Sequence, residues 1–581
     1  MLFETFRKMR NERADSPAFY VSAGDRTLSI SWKSFTDDIE VVAELIRIYS
    51  PGATIALLGE NSYEWLTVHA AVIFSGARVV PLDVNANAEE IASMTSLVGA
   101  EVLVHSALYI DKANEVSKLR PEMAIRSFGS RFTDLYVEEA RKRLDGGGSG
   151  LFSGPPPDAK AVSMLIFTSG TTSEPRAVQQ TMEALETCCD VWARRLDMKA
   201  GDRSLMVLPL HHVFGICSAY LMLSQGVSVG ICPDFRRLYD AVERFRADFL
   251  FLVPALADIL AGKIELRGAS AESALGTPIR WILTGGAPMA LKTCNRLKAL
   301  GVRPIYAYGL TETASLFSIS PFDDVAHPCG AGLVAGGHGV EIKVSADGEL
   351  MIRGPNVFRG YLNDPERTAE VLDGDGWFHT GDIGEIDEDG FVTVKGRISR
   401  TIVLSSGKKI APEELEGRIL LMPGVLEVVV SGTGDSREIK AEVYASVADD
   451  KVREMVHKLN QQLPTYKRIR EVSFRNRPFP RTASGKIRYS SLTRGRAKTS
   501  FSDRSIRLWR WHLPLMWSLS LCLAAMVVSV MTITPDILLS NGVEMSPGLK
   551  NVFEVLDFLG EIMLAVLAVG FIFRLKRDSG R

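Results

Sequence analysis

Short β-branched and aliphatic runs recur through the first two-thirds of the chain, at residues 54–58, 78–81, 101–104, 204–208 and 249–253, and helix-like stretches separate them. That alternation predicts α/β layers with largely parallel sheets from residue 1 to about residue 400. Between residues 340 and 394 the pattern shortens to brief strands and tight turns, such as Ala346-Asp347-Gly348 and Glu388-Asp389-Gly390, which predict a small antiparallel unit. A Gly- and Pro-rich loop (residues 145–158) leads into the apolar run 164–167. A compact segment follows residue 400 and ends near residue 492, and a polar linker continues to residue 504.

The last part of the chain has a different pattern. Residues 513–533 form an uncharged apolar run of about the length that crosses a bilayer. A second apolar stretch is cleanest at residues 562–573, with Glu554, Asp557 and Glu561 beside it on one helical face. Arg504, Arg507 and Arg510 precede the pair, Arg574, Lys576 and Arg577 follow it, and only Lys550 lies between. The positive-inside rule then predicts a helical hairpin with both ends in the cytoplasm.

Composition narrows the classes. At 581 residues the chain exceeds a single core, so two or more domains are expected. Its 67 basic and 69 acidic residues nearly balance, which gives no indication of a nucleic-acid partner. Seven scattered cysteines show neither a zinc spacing nor a disulfide framework and fit a reducing compartment. The charged N-terminus does not read as a signal peptide.

The candidate chemistry begins at Thr168-Ser169-Gly170-Thr171-Thr172-Ser173-Glu174-Pro175-Arg176. A strand that breaks into glycine and hydroxyl residues can wrap backbone amides around a phosphate, with Arg176 as a further donor. Downstream come Pro209-Leu210-His211-His212-Val213-Phe214-Gly215, Thr284-Gly285-Gly286-Ala287-Pro288, Tyr306-Ala307-Tyr308-Gly309-Leu310-Thr311-Glu312-Thr313, Trp377-Phe378-His379-Thr380-Gly381-Asp382, Gly396-Arg397, and Pro480-Arg481-Thr482-Ala483-Ser484-Gly485-Lys486.

In order and content these stretches resemble the adenylate-forming superfamily of acyl-CoA synthetases, peptide-synthetase adenylation domains and firefly-type luciferases, over about residues 15 to 495. The resemblance implies a large N-terminal AMP-binding domain of layered sheets and helices (residues 1–398) and a small mobile α+β lid (399–495). A basic linker (496–510), the hairpin (511–573) and a basic tail (574–581) would follow. It also implies ATP, Mg²⁺ and CoA, or the phosphopantetheine of an acyl carrier protein, as cofactors and acceptor. Thr168, Ser169, Gly170, Thr171, Thr172 and Arg176 would hold phosphates, while Gly286, Ala287, Tyr308 and Gly309 would line adenine. Asp382 and Arg397 would hold ribose, Thr311 the α-phosphate, and Glu312 the metal.

His212 would lie beside the acyl pocket, and the lack of an aspartate in its motif argues against an amino-acid substrate. Lys486 would bridge the carboxylate and the α-phosphate. Arg400 stands at the hinge, where the family usually has Asp, and Ser406, Gly407 and Lys408 would meet the acceptor thiol. Ser173, Arg176 and Ala177 depart from the family's Gly, Lys and Gly.

The expected activity is ATP-dependent conversion of a carboxylic acid to acyl-AMP and then acyl-CoA. A bilayer hairpin makes a medium- or long-chain fatty acid the first choice. Ligation to a carrier protein, and a non-catalytic membrane sensor of fatty acids or acyl-AMP, are the alternatives.

Overall fold

The computed structural model describes residues 2–480 apart from 24–25, 130–149, 169–174, 233, 321–331, 335–338, 405–406 and 433–437, and beyond residue 480 only Ile487 and Tyr489. The two apolar segments of the expected hairpin therefore lie outside the described residues. Among the described residues no helix is long and apolar enough to cross a membrane.

The continuous apolar runs do become buried parallel strands. One sheet runs Ala124–Phe128, Val102–Ser106, Thr54–Leu58, Arg78–Leu82, Val162–Thr168 and Arg176–Thr181, parallel except for the last pair, which is an antiparallel hairpin. A second sheet has a parallel centre of Arg303–Tyr308, Trp281–Thr284, Phe249–Leu252, Arg203–Met206 and Ser228–Ile231. Its far side is antiparallel and includes Glu341–Val344, Glu349–Arg353, Phe378–Ile386 and Phe391–Arg397. Those four were expected to form a unit of their own. Ser318–Ile319 and Gly332–Val334 instead bridge them to the parallel strands, so they extend one sheet.

Helices buried on every side join the sheets into one core. Every residue of Tyr63–Phe74 except Glu64 is buried, and ten of the twelve residues of Val213–Ser224 are too. A helix apolar all round needs neighbours on all faces: Tyr63–Phe74 packs against Trp32–Tyr49 and the first sheet, and Val213–Ser224 against Met182–Ala193 and the second. Ser62 caps the first helix by accepting from Trp65 N at 3.1 Å. Trp65 and Trp192 are among the large side chains fully removed from solvent, each contributing roughly 2–3 kcal/mol by burial.

The small C-terminal sheet, Val425–Gly432, Ile439–Ala445 and Ile469–Arg475, has its own apolar core with Pro412–Leu420 and Asp449–Gln462. A two-stranded ribbon, Ile402–Val403 with Lys409–Ile410, precedes it.

Candidate active site

Thr168 and Arg176 face each other in register as the last pair before the Val162–Thr168 and Arg176–Thr181 strands are joined. Ser169, Gly170, Thr171 and Thr172, between them in sequence, lie outside the described residues. Residues 359–362 run along the outer edge of the return strand. Arg359 N donates to Gln179 O (2.9 Å), Gln179 N to Gly360 O (3.1 Å) and Leu362 N to Ala177 O (2.9 Å).

This pairing delivers Tyr361 to the site. Its hydroxyl donates to Glu312 Oε1 at 2.9 Å, and the Arg176 guanidinium lies 5.8 Å from the centroid of its ring. Burial, with the Glu312 carboxylate second, raises the Tyr361 pKa well above the ordinary tyrosine range, so the hydroxyl stays a donor.

Glu312 sits on a 3₁₀ turn, Thr311–Thr313, that two side chains fasten from other elements. The fully buried Gln180 amide donates to Thr311 O at 2.8 Å. The fully buried Asn356 amide donates to Thr313 O at 3.3 Å and Leu316 O at 3.2 Å. Ala314 and Ser315 close the turn in the left-handed region, at φ 48° and 66°. Gly309 makes that closure possible, since a Cβ there would lie 2.1 Å from the Ser315 carbonyl oxygen.

A second cluster lies where Arg303–Tyr308 ends. The Tyr308 hydroxyl donates to Asp382 Oδ2, and Arg397 Nε pairs with Asp382 Oδ1 at 2.6 Å. Asp382 and Arg397 are register partners on adjacent antiparallel strands, which accounts for their meeting across fifteen positions of sequence. Burial first, then Asp382, pushes the Tyr308 hydroxyl far above its usual pKa. The phenol is thus a fixed donor and its ring a fixed face.

His212 immediately precedes the Val213–Ser224 helix without a side-chain cap bond, and its backbone N donates to Pro209 O at 3.1 Å. Its ring centroid is 4.3 Å from that of His211, whose Nε2 is 3.7 Å from Asp83 Oδ1. Burial lowers the His211 pKa, and Asp83 opposes that shift. Asn61 pins the preceding loop, donating to Leu208 O (2.8 Å) and accepting from Leu210 N (3.0 Å). Phe214 packs against Gly285, where an added Cβ would lie 3.3 Å from the ring, so the His212 motif and the Gly285-Gly286-Ala287 loop meet.

The small-domain candidates are held separately. Arg400 Nη1 donates to Glu413 Oε1 (2.7 Å), Nη2 donates to Glu416 Oε1 (2.6 Å), and the guanidinium sits 3.9 Å from the Tyr489 ring centroid. Gly407 adopts φ +76° in the ribbon turn, and Lys408 Nζ lies 3.9 Å from the Tyr466 ring centroid. Ser406 and Lys486 lie outside the described residues.

Tyr361, Gln180, Asn356 and Asn61 did not emerge from the sequence. Each is a polar residue whose partner is distant in the chain, and only the Gly360-Tyr361 pair carried any turn signal.

The Glu312 carboxylate fits a role with a divalent cation. Its hydrogen-bond donor is a neutral phenol, and among the described residues it pairs with no cation, so its charge remains available. Among the described residues no group of three or more His, Cys, Asp or Glu side chains could cage a metal. A cation that takes one carboxylate and completes its shell with phosphate oxygens and water suits such a site, and that is magnesium's habit.

Comparison with known proteins gives the following. The family model described as AMP-binding enzyme matches residues 6–362, and that described as AMP-binding enzyme C-terminal domain matches residues 414–486. A long-chain-fatty-acid–CoA ligase of Mycobacterium tuberculosis is 28% identical over 457 residues, 75% of this chain and 86% of the relative. A feruloyl-CoA synthase of an Amycolatopsis species is 30% identical over 457 residues, 75% of this chain and 87% of the relative. In fold, ATP-bound MatB from Rhodopseudomonas palustris superposes with a TM-score of 0.72 at 24% identity, covering 85% of this chain and 98% of that one.

Proposed function

Since the chain belongs to the AMP-binding enzyme family, we propose that it is an AMP-forming acyl-CoA synthetase whose acid is a medium- or long-chain fatty acid. The observation that carries this reading is that one short stretch of chain, residues 308–312, carries both side-chain groups: Tyr308 with Asp382 and Arg397, and Glu312 with Tyr361 and Arg176. Asp382 can accept from ribose hydroxyls, Glu312 can take a cation, and Arg176 can pair with phosphates. Mycobacterial fatty-acid and actinobacterial feruloyl ligases among the relatives support a carboxylic acid and a CoA acceptor.

In the first half-reaction a carboxylate oxygen attacks the α-phosphorus of ATP, and the bond to pyrophosphate breaks. Tyr308 offers its face to adenine, Asp382 accepts from the ribose hydroxyls, and Arg176 with the Thr168–Thr172 hydroxyls and amides neutralises the phosphates. Glu312 would hold magnesium, which supplies charge neutralisation at the phosphate oxygens. Lys486 bridges the two reacting anions, a task suited to a compact ammonium on a flexible stem. In the second half-reaction the small domain turns about Arg400 and brings Gly407 and Lys408 to the site. The thiol sulfur then attacks the acyl carbonyl, the thiol proton is released, and AMP leaves.

Residues 511–573 would tether the enzyme as a bilayer hairpin, with the catalytic domains and the C-terminus in the cytoplasm. Amphiphilic acids concentrate at that surface, gaining about 0.8 kcal/mol for each buried methylene. The test is a panel of acids from acetate to oleate, plus benzoate, with CoA or carrier protein as acceptor, scored by pyrophosphate release. Acid-dependent release peaking at medium or long chains with CoA is expected. A peak at benzoate or acetate, a preference for carrier protein, or no acid-dependent release would contradict the reading.

A further inference from the structure

The Glu312 carboxylate ends a flexible side chain on the Thr311–Thr313 turn, and among the described residues its hydrogen-bond donor is the Tyr361 hydroxyl. Tyr361 comes from outside that turn. Its backbone is clamped twice, by the pairing of residues 359–362 with the return strand and by Tyr361 N donating to Thr368 Oγ1 at 2.9 Å. The residue is 8% exposed, its ring meets Phe358 edge-on at 5.0 Å, and Phe358 N in turn donates to Glu312 O at 2.9 Å. The tyrosine is therefore tied to the same turn through backbone and side chain alike.

We propose that Tyr361 is a positioning residue for this site: its hydroxyl occupies Glu312 Oε1 and so directs Oε2 toward the metal on the nucleotide, while its ring sets where the Arg176 guanidinium stands. One rigid side chain thereby spaces the metal-side carboxylate from the phosphate-side cation. Groups that orient a ligating carboxylate typically affect metal affinity by 10- to 100-fold. Arg176 keeps the positive charge of the family's lysine, and at 5.8 Å from the ring centroid it lies within cation–π reach of Tyr361.

The inference rests on the nucleotide reading of the site, and the experiment separates the two. Full-length wild type, Tyr361→Phe, Glu312→Gln and the double variant are titrated calorimetrically with a non-hydrolysable ATP analogue, once with magnesium and once with EDTA. Tyr361→Phe keeps the ring, so its unfolding midpoint should stay within a few degrees of wild type. Its magnesium-dependent gain in affinity should shrink on the order of tenfold. Its metal-free affinity should stay within about twofold, and the substitution should cost nothing more in the Glu312→Gln background. Replacing Tyr361 with para-aminophenylalanine, which restores a donor at the same place, should recover most of the gain. Equal losses with and without magnesium, an unchanged gain, or a full loss persisting beside Glu312→Gln would overturn the inference alone. No binding of the analogue by wild type would overturn the nucleotide reading with it.

Discussion

The nucleotide side of the site and the hinge side are built in opposite ways. Around Glu312 and Asp382 the holding groups come from several other elements of the large domain: Tyr361, Gln180 and Asn356 on the Glu312 turn, Tyr308 and Arg397 on Asp382. Around Arg400 the carboxylate partners come from one element, since Glu413 and Glu416 both belong to the small-domain helix that follows it. Groups that serve one fixed geometry are cross-linked to the fold. Were the small domain to turn as proposed, Glu413 and Glu416 would turn with Arg400 and keep its charge satisfied.

The comparison can be broken at several points. Asp382→Asn keeps the shape but removes the acceptor charge between Tyr308 and Arg397, so kcat/KM for ATP should fall about a hundredfold in pyrophosphate exchange. A fall of less than threefold would remove Asp382 from the nucleotide site. Arg400→Ala leaves Glu416 buried without its cation, which should destabilise the small domain by about 3 kcal/mol in denaturant unfolding. The same variant should slow thioester formation about tenfold while adenylation stays within about twofold. Equal slowing of both steps would mean that the hinge and nucleotide sides are not separate. Lys408→Ala should raise KM for CoA about fivefold with kcat for adenylation unchanged, as suits one solvent-screened phosphate contact.

An effect on stability alone, small near neutral pH, comes from the core of the large domain. His69 is fully buried with Nδ1 2.8 Å from the Tyr220 hydroxyl, and burial lowers its pKa from 6.5 to about 3. The unfolded chain therefore binds a proton that the folded one refuses. Stability is full above pH 6.5 and is lost as pH falls toward 3, with about 1 kcal/mol gone between pH 6.5 and 5.5. His69→Gln should flatten that slope in thermal melts, and an unchanged slope would show that His69 does not titrate with unfolding.

Much of this could be read before the structure, for identifiable reasons. The parallel strands at Thr54–Leu58 and Phe249–Leu252 are legible because buried strands carry unbroken apolar runs. Tyr308, Glu312 and Asp382 stand out as candidates because the motifs that carry them resemble the adenylate-forming superfamily in order and content. The connecting strands Ser318–Ile319 and Gly332–Val334 are two and three residues long and leave no periodic trace, so the antiparallel region looked independent. Tyr361 stayed hidden because its value lies in Glu312, forty-nine positions away, and no local rule pairs them.

The central claim is that acid activation and thiol transfer use different parts of one chain, with Lys486 serving only the first. It is tested most directly by assaying Lys486→Ala in both half-reactions. The account predicts that fatty-acid-dependent ATP–pyrophosphate exchange falls on the order of a thousandfold while transfer from supplied acyl-AMP to CoA stays within about twofold of wild type. Full exchange activity in Lys486→Ala would contradict it.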